Sequence, residues 1–318
     1  MSSPRTHAQA DRADIVGFTL ESGVTCELMR TCYRAQAFPP HTHEYFTLGV
    51  VLSGVGTLGQ RGAEHRLHPG DVVVIPPGEV HTGGTESTAE PLSYAALHLP
   101  ASALTNCALA LGHPNAVPDF ASVVVRDADI ARELRRLDAM VWAEPRGGAD
   151  MTAVDDAIHA AIHALVSRHA VASRGRHAPL ATAEPIVVKT VREIIDDCYA
   201  DTEQTSLNAL AARVGVTPAH LVRLFTETTG LSPHRYVVQT RIRRAEALLA
   251  SGMSSSFVAA MTGFADQSHL TTQFKRYVGT TPAWYQRCRT IRPSAPDSDP
   301  PLPPSPPAPH WRRTPPPP

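Results

Sequence analysis

The chain has 318 residues, 42% of them hydrophobic, and a formal net charge of −1 at pH 7. This length is enough for two domains, each with a core of its own. No stretch approaches the ~18 consecutive apolar residues that a membrane span needs, and the polar start lacks the apolar segment of a signal peptide. The five cysteines are scattered, without a C-x-x-C pair or metal-ligand spacing, so the chain is expected in the reducing cytoplasm.

The formal charge is divided unevenly along the chain. Residues 1–183 carry −5, whereas residues 184–292 carry +4. A basic segment attracts the phosphates of a nucleic acid without sequence preference, although a surplus of this size is also common on ordinary protein surfaces. Charge alone therefore leaves nucleic-acid binding by the C-terminal part open.

The pattern from about Ile15 to Pro100 predicts an all-β domain. Short apolar runs are separated by Pro, Gly and charged residues, and several runs lie within ten residues of one another. The predicted strands include Thr25–Arg34, Phe46–Leu52, Asp71–Ile75 and Ser93–Leu97. Short strands at this spacing favour a small barrel or jelly roll.

Two segments of this domain resemble the two sequence motifs of cupins. The first runs from His41-Thr-His43 to Ser53-Gly-Val-Gly56, and the second is Gly70-x5-Pro76-x-Gly78-x2-His81. The resemblance implies a cupin-like β-barrel in which His41, His43 and His81 face the interior. Barrels of this kind bind small-molecule effectors in many regulators, so these three histidines are the expected effector-binding residues.

A metal site at the same histidines is the alternative. Three neutral imidazoles can bind zinc, iron or copper. Metal-binding cupins usually supply a glutamate a few residues after the H-x-H pair, and that position falls here at Thr47 or Leu48. Glu44 directly follows His43, so its side chain points to the opposite face of a strand. Effector binding or a structural role is therefore expected ahead of a metal, and no cofactor is expected.

Two amphipathic helices are predicted after the barrel, whereas residues 101–125 have no assignable pattern. The first helix has an apolar stripe from Ile130 to Val141, and the second has one from Val154 to Val166. The break at residues 144–148 between them predicts an antiparallel helical hairpin.

The predicted domain limits follow from composition. Residues 168–185 predict an interdomain linker, and residues 293–318 contain 13 prolines among 26 residues. Such a tail cannot build a core and predicts a disordered, partly polyproline II segment. The predicted units are residues 14–170, residues 184–290 and this Pro-rich tail.

Two helix–turn–helix units are predicted between residues 206 and 289. In each unit a glycine ends the first helix, at Gly215 and Gly263, and a polar residue caps the next helix, at Thr217 and Asp266. The second helix of each unit, called a reading helix below, is apolar on one side only. Its polar face can therefore lie in a DNA major groove.

One long helix is predicted to join the two units. It begins at Ser232-Pro233 and ends at Gly252. Its apolar stripe is expected inside, whereas Arg241, Arg243 and Arg244 are expected largely outside.

These two units resemble the DNA-binding domain of the AraC/XylS family of bacterial transcription regulators. The stretch G-F-A-D-Q-S-H-L-T-T-Q-F-K-R-Y-V-G-T-T-P at residues 263–282 is similar to the family signature, and residues 211–236 are similar to its first unit. The family often has Arg at the positions of Thr272 and Gln286. The fold class implied is two-domain α+β, with an N-terminal cupin-like β-barrel, a helical hairpin and a C-terminal all-α domain with two helix–turn–helix units.

The family motif also implies which side chains contact DNA. They are Ala219, His220, Val222, Arg223, Gln267, Ser268, Thr271, Thr272, Lys275 and Arg276. Arg223 can form a bidentate pair with guanine and Gln267 with adenine, while Lys275 and Arg276 suit phosphate. Any one of these residues alone is as easily a solvated surface residue, but their placement on two matching helices favours DNA contact.

The leading hypothesis is a cytoplasmic, nucleoid-associated transcription regulator, not an enzyme. It binds double-stranded promoter DNA and responds to a small-molecule effector, with activation as the expected direction and repression left open. The resemblance also implies contact with RNA polymerase and a homodimer through the helical hairpin, which otherwise only covers the barrel. Two alternatives are a metal-dependent cupin enzyme fused to a DNA-binding domain, and a dimeric regulator whose barrel binds nothing. No membrane partner is expected.

Overall fold

The computed structural model describes residues 11–86, 90–113, 117–142, 150–171 and 184–290. The Pro-rich tail, the break between the hairpin helices and most of the predicted linker lie outside these residues. The described chain has a β-rich N-terminal domain and a helical C-terminal domain, which confirms the predicted α+β class. Within those ranges, no helix combines the length and the apolar character that crossing a membrane requires.

Nine strands of four to nine residues form most of the N-terminal domain. They are β1 (Arg12–Thr19), β2 (Thr25–Tyr33), β3 (Ala37–His41), β4 (Tyr45–Ser53), β5 (Gly56–Gln60), β6 (Ala63–Leu67), β7 (Val72–Ile75), β8 (His81–Thr85) and β9 (Leu92–Pro100). Three two-residue strands follow, β10 (Asp119–Phe120), β11 (Val124–Val125) and β12 (Ala170–Val171). All four strands named from the sequence are present, with ends that shift by at most three residues.

Two main antiparallel sheets are built from these strands. The six-stranded sheet has the order β1-β2-β9-β4-β7-β11, and the four-stranded sheet has the order β3-β8-β5-β6. An inner apolar cluster packs between them and consists of Val51, Leu58, Leu67, Val73, Ile75 and Leu92. The two sheets face each other as in a jelly roll, but within the described residues they do not close into the predicted barrel.

Three helices cover the outer face of the six-stranded sheet. They are α1 (Ala101–Ala110), α2 (Ala128–Val141) and α3 (Met151–His169). Asp127 and Asp150 cap α2 and α3, each accepting hydrogen bonds from two backbone N–H groups. Ile130 and Ile158 of this hairpin share a buried cluster with Phe46 of β4. The predicted hairpin is present, but α3 extends to His169, so the predicted linker begins later than residue 168.

Seven helices form the described C-terminal domain. They are α4 (Ile186–Cys198), α5 (Leu207–Arg213), α6 (Pro218–Thr229), α7 (Pro233–Ala250), α8 (Ser255–Met261), α9 (Gln267–Val278) and α10 (Pro282–Thr290). The side chains of Thr217 and Asp266 cap the reading helices α6 and α9 as predicted. Helices α5–α6 and α8–α9 are the two helix–turn–helix units, and α7 joins them.

Arg241 is buried rather than exposed, contrary to the expectation for the joining helix. Only 8% of its surface is accessible. Its guanidinium donates to the carbonyl oxygen of Tyr199 at 2.7 Å, to that of Gly263 at 2.8 Å and to the Thr205 hydroxyl at 3.3 Å. Because a buried cation is tolerated only when its donors are satisfied, these bonds explain the position and tie both units to α7.

One hydrophobic cluster contains residues of both domains. Inward-facing side chains of β1, β2 and β9 pack against α7, α9 and α10 in a single cluster that includes Ala13, Met29, Tyr33, Ile242 and Phe274. The C-terminal helices therefore cover inner-face positions of the six-stranded sheet, beside the four-stranded sheet.

Polar contacts reinforce this interface. The side-chain amide of Gln239 on α7 donates to the Thr42 carbonyl oxygen and accepts from the Thr42 N–H at 3.2 Å. The indole N–H of Trp284 on α10 donates to the carbonyl oxygen of Ala13 at 2.8 Å. The reading helices also end against the barrel, because Gly230 lies beside Val80. The domains are thus packed together and not held by the linker alone.

Candidate functional site

A cavity of about 370 Å³ lies between the two sheets and the C-terminal helices. This volume is in the range that holds a small organic molecule. The C-terminal domain contributes the lining residues Gln239, Ile242, Arg243, Glu246, Tyr277, Val278 and Tyr285. Nothing in the sequence pattern predicts this second wall, because α7 has the periodicity of an ordinary core helix.

The three predicted histidines meet at the cavity wall. The ring centroids of His41 and His81 are 4.1 Å apart, those of His43 and His81 are 5.0 Å apart, and those of His41 and His43 are 6.4 Å apart. Strand pairing explains the closest contact, because His41 of β3 lies opposite His81 of β8 in the ladder.

A fourth histidine, His98, belongs to the same wall and was missed from the sequence. Tyr45 stacks between His43 and His98, with ring centroids 4.4 Å and 4.3 Å away. The alternation of Tyr94, Ala96 and His98 on β9 could have indicated this position, since every second residue of a strand faces the same side.

Backbone hydrogen bonds set the direction in which these rings present their nitrogens. The Nδ1 atom of His43 lies 2.6 Å from the Tyr45 carbonyl oxygen, and that of His81 lies 3.0 Å from the Glu79 carbonyl oxygen. A carbonyl oxygen only accepts, so Nδ1 carries the proton and the Nε2 atom of a neutral ring is an acceptor. The Thr47 hydroxyl, 3.2 Å from Nε2 of His43, is placed to donate to it.

The imidazoles are neutral at pH 7. Burial lowers the pKa of His81 to about 3 and that of His98 to about 4, against an ordinary 6.5. Burial also lowers the pKa of His41. The pKa of His43 is well below its ordinary value because of burial and then of the neighbouring His81, His98 and His41. The cavity therefore contains acceptor nitrogens but no imidazolium charge.

Neutral histidines with bound Nδ1 protons are also the form that ligates metals. Glu44 does not complete such a set, because it points to the rim and pairs with Arg243. Within the part of the chain that the structure describes, no three His, Cys, Asp or Glu side chains are placed to hold a metal ion.

Tyr33 places a buried hydroxyl at the domain boundary. Its side chain is 0% exposed and lines the cavity. In the described chain its hydroxyl oxygen has no hydrogen-bond partner, which normally costs about 1–3 kcal/mol. The same ring packs against Gly279, the residue that ends the reading helix α9.

The predicted DNA-binding residues lie on the two reading helices and away from the cavity. Eight of them are exposed, whereas Val222 and Thr271 are half-buried. The hydroxyls of Thr271 and Thr272 donate to carbonyl oxygens one turn back in α9, at 2.8 and 2.9 Å. Arg223 donates to the Nδ1 atom of His220 at 3.2 Å. The guanidinium of Arg223 is 65% exposed and accessible to a partner.

Two family models match this chain. The model of the AraC-like ligand binding domain matches residues 24–171, and a helix-turn-helix domain model matches residues 210–287. The first match contains the histidine cluster, and the second contains both reading helices.

Named transcription regulators are similar to the chain over most of its length. The HTH-type transcriptional regulator YbfI of Bacillus subtilis is 27% identical over 74% of this chain and 82% of its own length. The arabinose operon regulatory protein of Salmonella typhimurium is 25% identical over 76% of this chain and 83% of its own length. A crystal structure of ToxT from Vibrio cholerae covers 93% of this chain and 100% of its own, with 13% identity and a TM-score of 0.48.

Proposed function

Because this chain belongs to the AraC family of transcription regulators, with a ligand-binding and a DNA-binding domain, we propose that a small molecule in the shared cavity controls how α6 and α9 engage promoter DNA. The histidines His41, His43 and His81 are the proposed effector contacts, joined by His98. The proposed domain limits stay at residues 14–170 and 184–290.

One observation carries this proposal: both domains form the wall of the cavity. A molecule bound there touches the barrel histidines and also Gln239 and Arg243 of α7. Its affinity therefore depends on how the domains are arranged, and the same arrangement sets the position of the reading helices. By linkage, effector and DNA then change each other's affinity by the same factor.

The proposed DNA contacts are the ten outward residues of the reading helices. The two helices are expected to enter successive major grooves about 34 Å apart on one side of the duplex. Arg223 and Gln267 are the proposed base readers, and Lys275 and Arg276 are the proposed phosphate contacts.

Arg223→Ala is expected to weaken binding to the specific operator by about 1–3 kcal/mol, because it removes a bidentate contact to guanine. Binding to a scrambled duplex should change less. The measurement is a fluorescence titration of both duplexes with the full chain. Arg66→Ala on β6 is the matched control, since it removes one exposed arginine that, like Arg223, pairs with a glutamate. An equal loss of binding free energy on both duplexes would instead show that Arg223 contacts a phosphate and not a base.

His81→Ala is expected to weaken effector binding by about 1–3 kcal/mol, because it leaves a donor of the bound effector unpaired. Operator binding without effector should persist if the variant folds, which circular dichroism checks. Thermal-shift screening of metabolites identifies an effector, and operator titrations with and without it then test the proposed function. His68→Ala, an exposed histidine on the same domain, is the control. Normal effector binding by the His81 variant would show that this histidine has a structural role and does not contact the effector.

Further partners follow from the proposed role. We propose a homodimer through the outer surface of α2 and α3, contact with RNA polymerase, activation as the mode of control, and a cytoplasmic location at the nucleoid where promoters lie. The relatives described above are named as transcription regulators, which supports binding and not catalysis as the use of the cavity.

A further inference from the structure

The first helix of the second helix–turn–helix unit, α8, carries large apolar side chains on its outer side. Phe257 is 50% exposed, and Met261, one turn later, is 49% exposed. Met253, in the turn that leads into α8, is 38% exposed. Residues four apart on a helix are neighbours on its surface, so Phe257 and Met261 lie side by side. These three residues are called the α8 patch below, and exposed apolar groups of this kind mark a contact surface.

The equivalent helix of the first unit, α5, has different side chains at the same positions. Both helices have seven residues, begin after a serine cap and end two residues before a glycine with positive φ. In this alignment Ala209 corresponds to Phe257, and Arg213 corresponds to Met261. The fold of the unit therefore does not require a large apolar side chain at either position, and the α8 patch needs a separate explanation.

The chain leaves α10 close to the α8 patch. The side-chain amide of Gln286 on α10 donates to the Met253 carbonyl oxygen at 2.5 Å. Helix α10 ends at Thr290, which is about 6 Å further along its axis. Residues 291–299 can then span up to about 30 Å, whereas α8 is only about 10 Å long. The residues from position 300 onward are therefore within reach of the whole of α8.

The sequence at residues 300–309, P-P-L-P-P-S-P-P-A-P, suits such a patch. Seven of its ten residues are proline and none is charged, and the seven residues of α8 are also uncharged. A polyproline II helix has three residues per turn, so this spacing puts Pro300, Pro303, Pro306 and Pro309 on one face. Proline faces of this kind dock on aromatic side chains, and they lose little conformational entropy because proline already restricts the backbone.

We propose that residues 300–309 of the Pro-rich tail dock on the α8 patch of the same chain, with a proline face against Phe257 and Met261. The flexible methionine side chains can adapt to the irregular surface of such a segment. A short covalent connection gives an effective concentration of about 1 mM, so a dissociation constant of about 0.1 mM would keep the segment docked in roughly nine of ten molecules.

The size of the patch favours an occupant from the same chain over a second copy. A stable interface between separate proteins uses about 20–30 residues from each side, whereas the α8 patch has three large side chains. A second copy would also have to bind from solution, without the high local concentration of a connected segment. A contact of this size is therefore sufficient within one chain and too small between two chains.

Photo-crosslinking in the full chain tests this contact. Phe257→p-benzoylphenylalanine is prepared as an equal mixture of unlabelled and isotope-labelled protein, so mass spectrometry separates cross-links within one chain from those between chains. We expect cross-links within one chain to the peptide that contains residues 300–309. The same probe at Arg213, the equivalent position of Met261 in α5, is the control and should not reach that peptide. Cross-links between chains, cross-links only to other segments, or none at all would overturn the proposal.

A double variant tests whether the α8 patch holds the segment. Phe257→Ala with Met261→Arg gives α8 the side chains that α5 has at the equivalent positions, so the unit should still fold, which circular dichroism checks. The reporter is Trp311, two residues beyond the docking segment, observed by fluorine NMR of the full chain with 5-fluorotryptophan. We expect its line width to fall about twofold or more in the variant, because a released segment moves on the nanosecond timescale.

The control for this variant is Ile186→Ala, which removes another exposed apolar side chain of the same domain. It should leave the Trp311 line width unchanged. Equal line widths in the wild-type protein and the double variant would show that the patch does not hold the segment and would contradict the proposal.

Discussion

Gly279→Ala is expected to lower the free energy of unfolding by about 2–5 kcal/mol and to separate the two domains. Gly279 has φ of +83°, which an L-residue with a side chain adopts at a cost of about 1–2 kcal/mol. A Cβ atom at this position would also overlap the Tyr33 hydroxyl oxygen and lie 2.9 Å from Tyr33 Cζ and 3.1 Å from Phe38 Cζ. Tyr33 is fully buried in the shared core, so its ring can move aside only by displacement into the cavity that it lines.

Two further variants separate backbone strain from the interdomain clash. Gly252→Ala has a similar φ of +88° with no atom near the added Cβ, so it should cost only about 1–2 kcal/mol. Tyr33→Phe removes the overlapping hydroxyl, so it should recover part of the loss when combined with Gly279→Ala. Urea titrations measure the stabilities, and emission from Trp284, which bonds across the interface, reports separation of the domains. Equal losses for both glycine variants would show that the interface does not restrict position 279.

Lowering the pH from 7.5 to 5.0 is expected to destabilise the effector-free protein by several kcal/mol. Burial holds the pKa of His81 at about 3 and that of His98 at about 4, below the ordinary 6.5 of an unfolded chain. Between these values the unfolded chain binds protons that the folded chain does not. The stabilisation is therefore complete above pH 6.5 and is lost as the pH falls towards 4, by about 2 kcal/mol per neutral histidine at pH 5.

The measurement is the free energy of unfolding in urea at pH 7.5, 6.5, 5.5 and 5.0. Carboxyl groups with ordinary pKa values titrate mainly below this window and contribute little to the slope. His98→Asn removes one of the titrating groups, so its slope between pH 6.5 and 5.0 should be smaller by about one proton. A wild-type stability that stays constant to pH 5.0 would show that the cavity histidines protonate without unfolding the barrel.

Local sequence patterns were sufficient to predict the strands and helices of this fold. Short apolar runs bounded by Pro, Gly and charged residues located the strands of the barrel, and glycine followed by a capping residue located both helix–turn–helix units. These signals are local, because a turn or a cap depends on residues within one or two turns of the chain. The resemblance to the cupin motifs also indicated the histidine triad, because it implies that His41, His43 and His81 face the interior of one barrel.

The position of the cavity between the domains was not accessible from the sequence. Gln239 and Thr42 are 197 residues apart in the chain, and no local sequence pattern predicts the hydrogen bonds between them. Arg241 illustrates the same limit. A basic residue on a helix is ordinarily solvated, and Arg241 is stable in a buried position because it donates hydrogen bonds to the carbonyl oxygens of Tyr199 and Gly263.

The sequence by itself therefore determined which residues form strands, caps and reading helices, and its cupin-like motifs indicated three of the four histidines of the wall. Tertiary structure alone decided that α7 closes the cavity, that Gly279 touches Tyr33 and that His98 joins the wall. The physical reason is that secondary structure follows from torsional preference and the period of apolar residues, both local properties. Which polar residue faces water, a cavity or a second domain depends on the surfaces that long-range packing brings together.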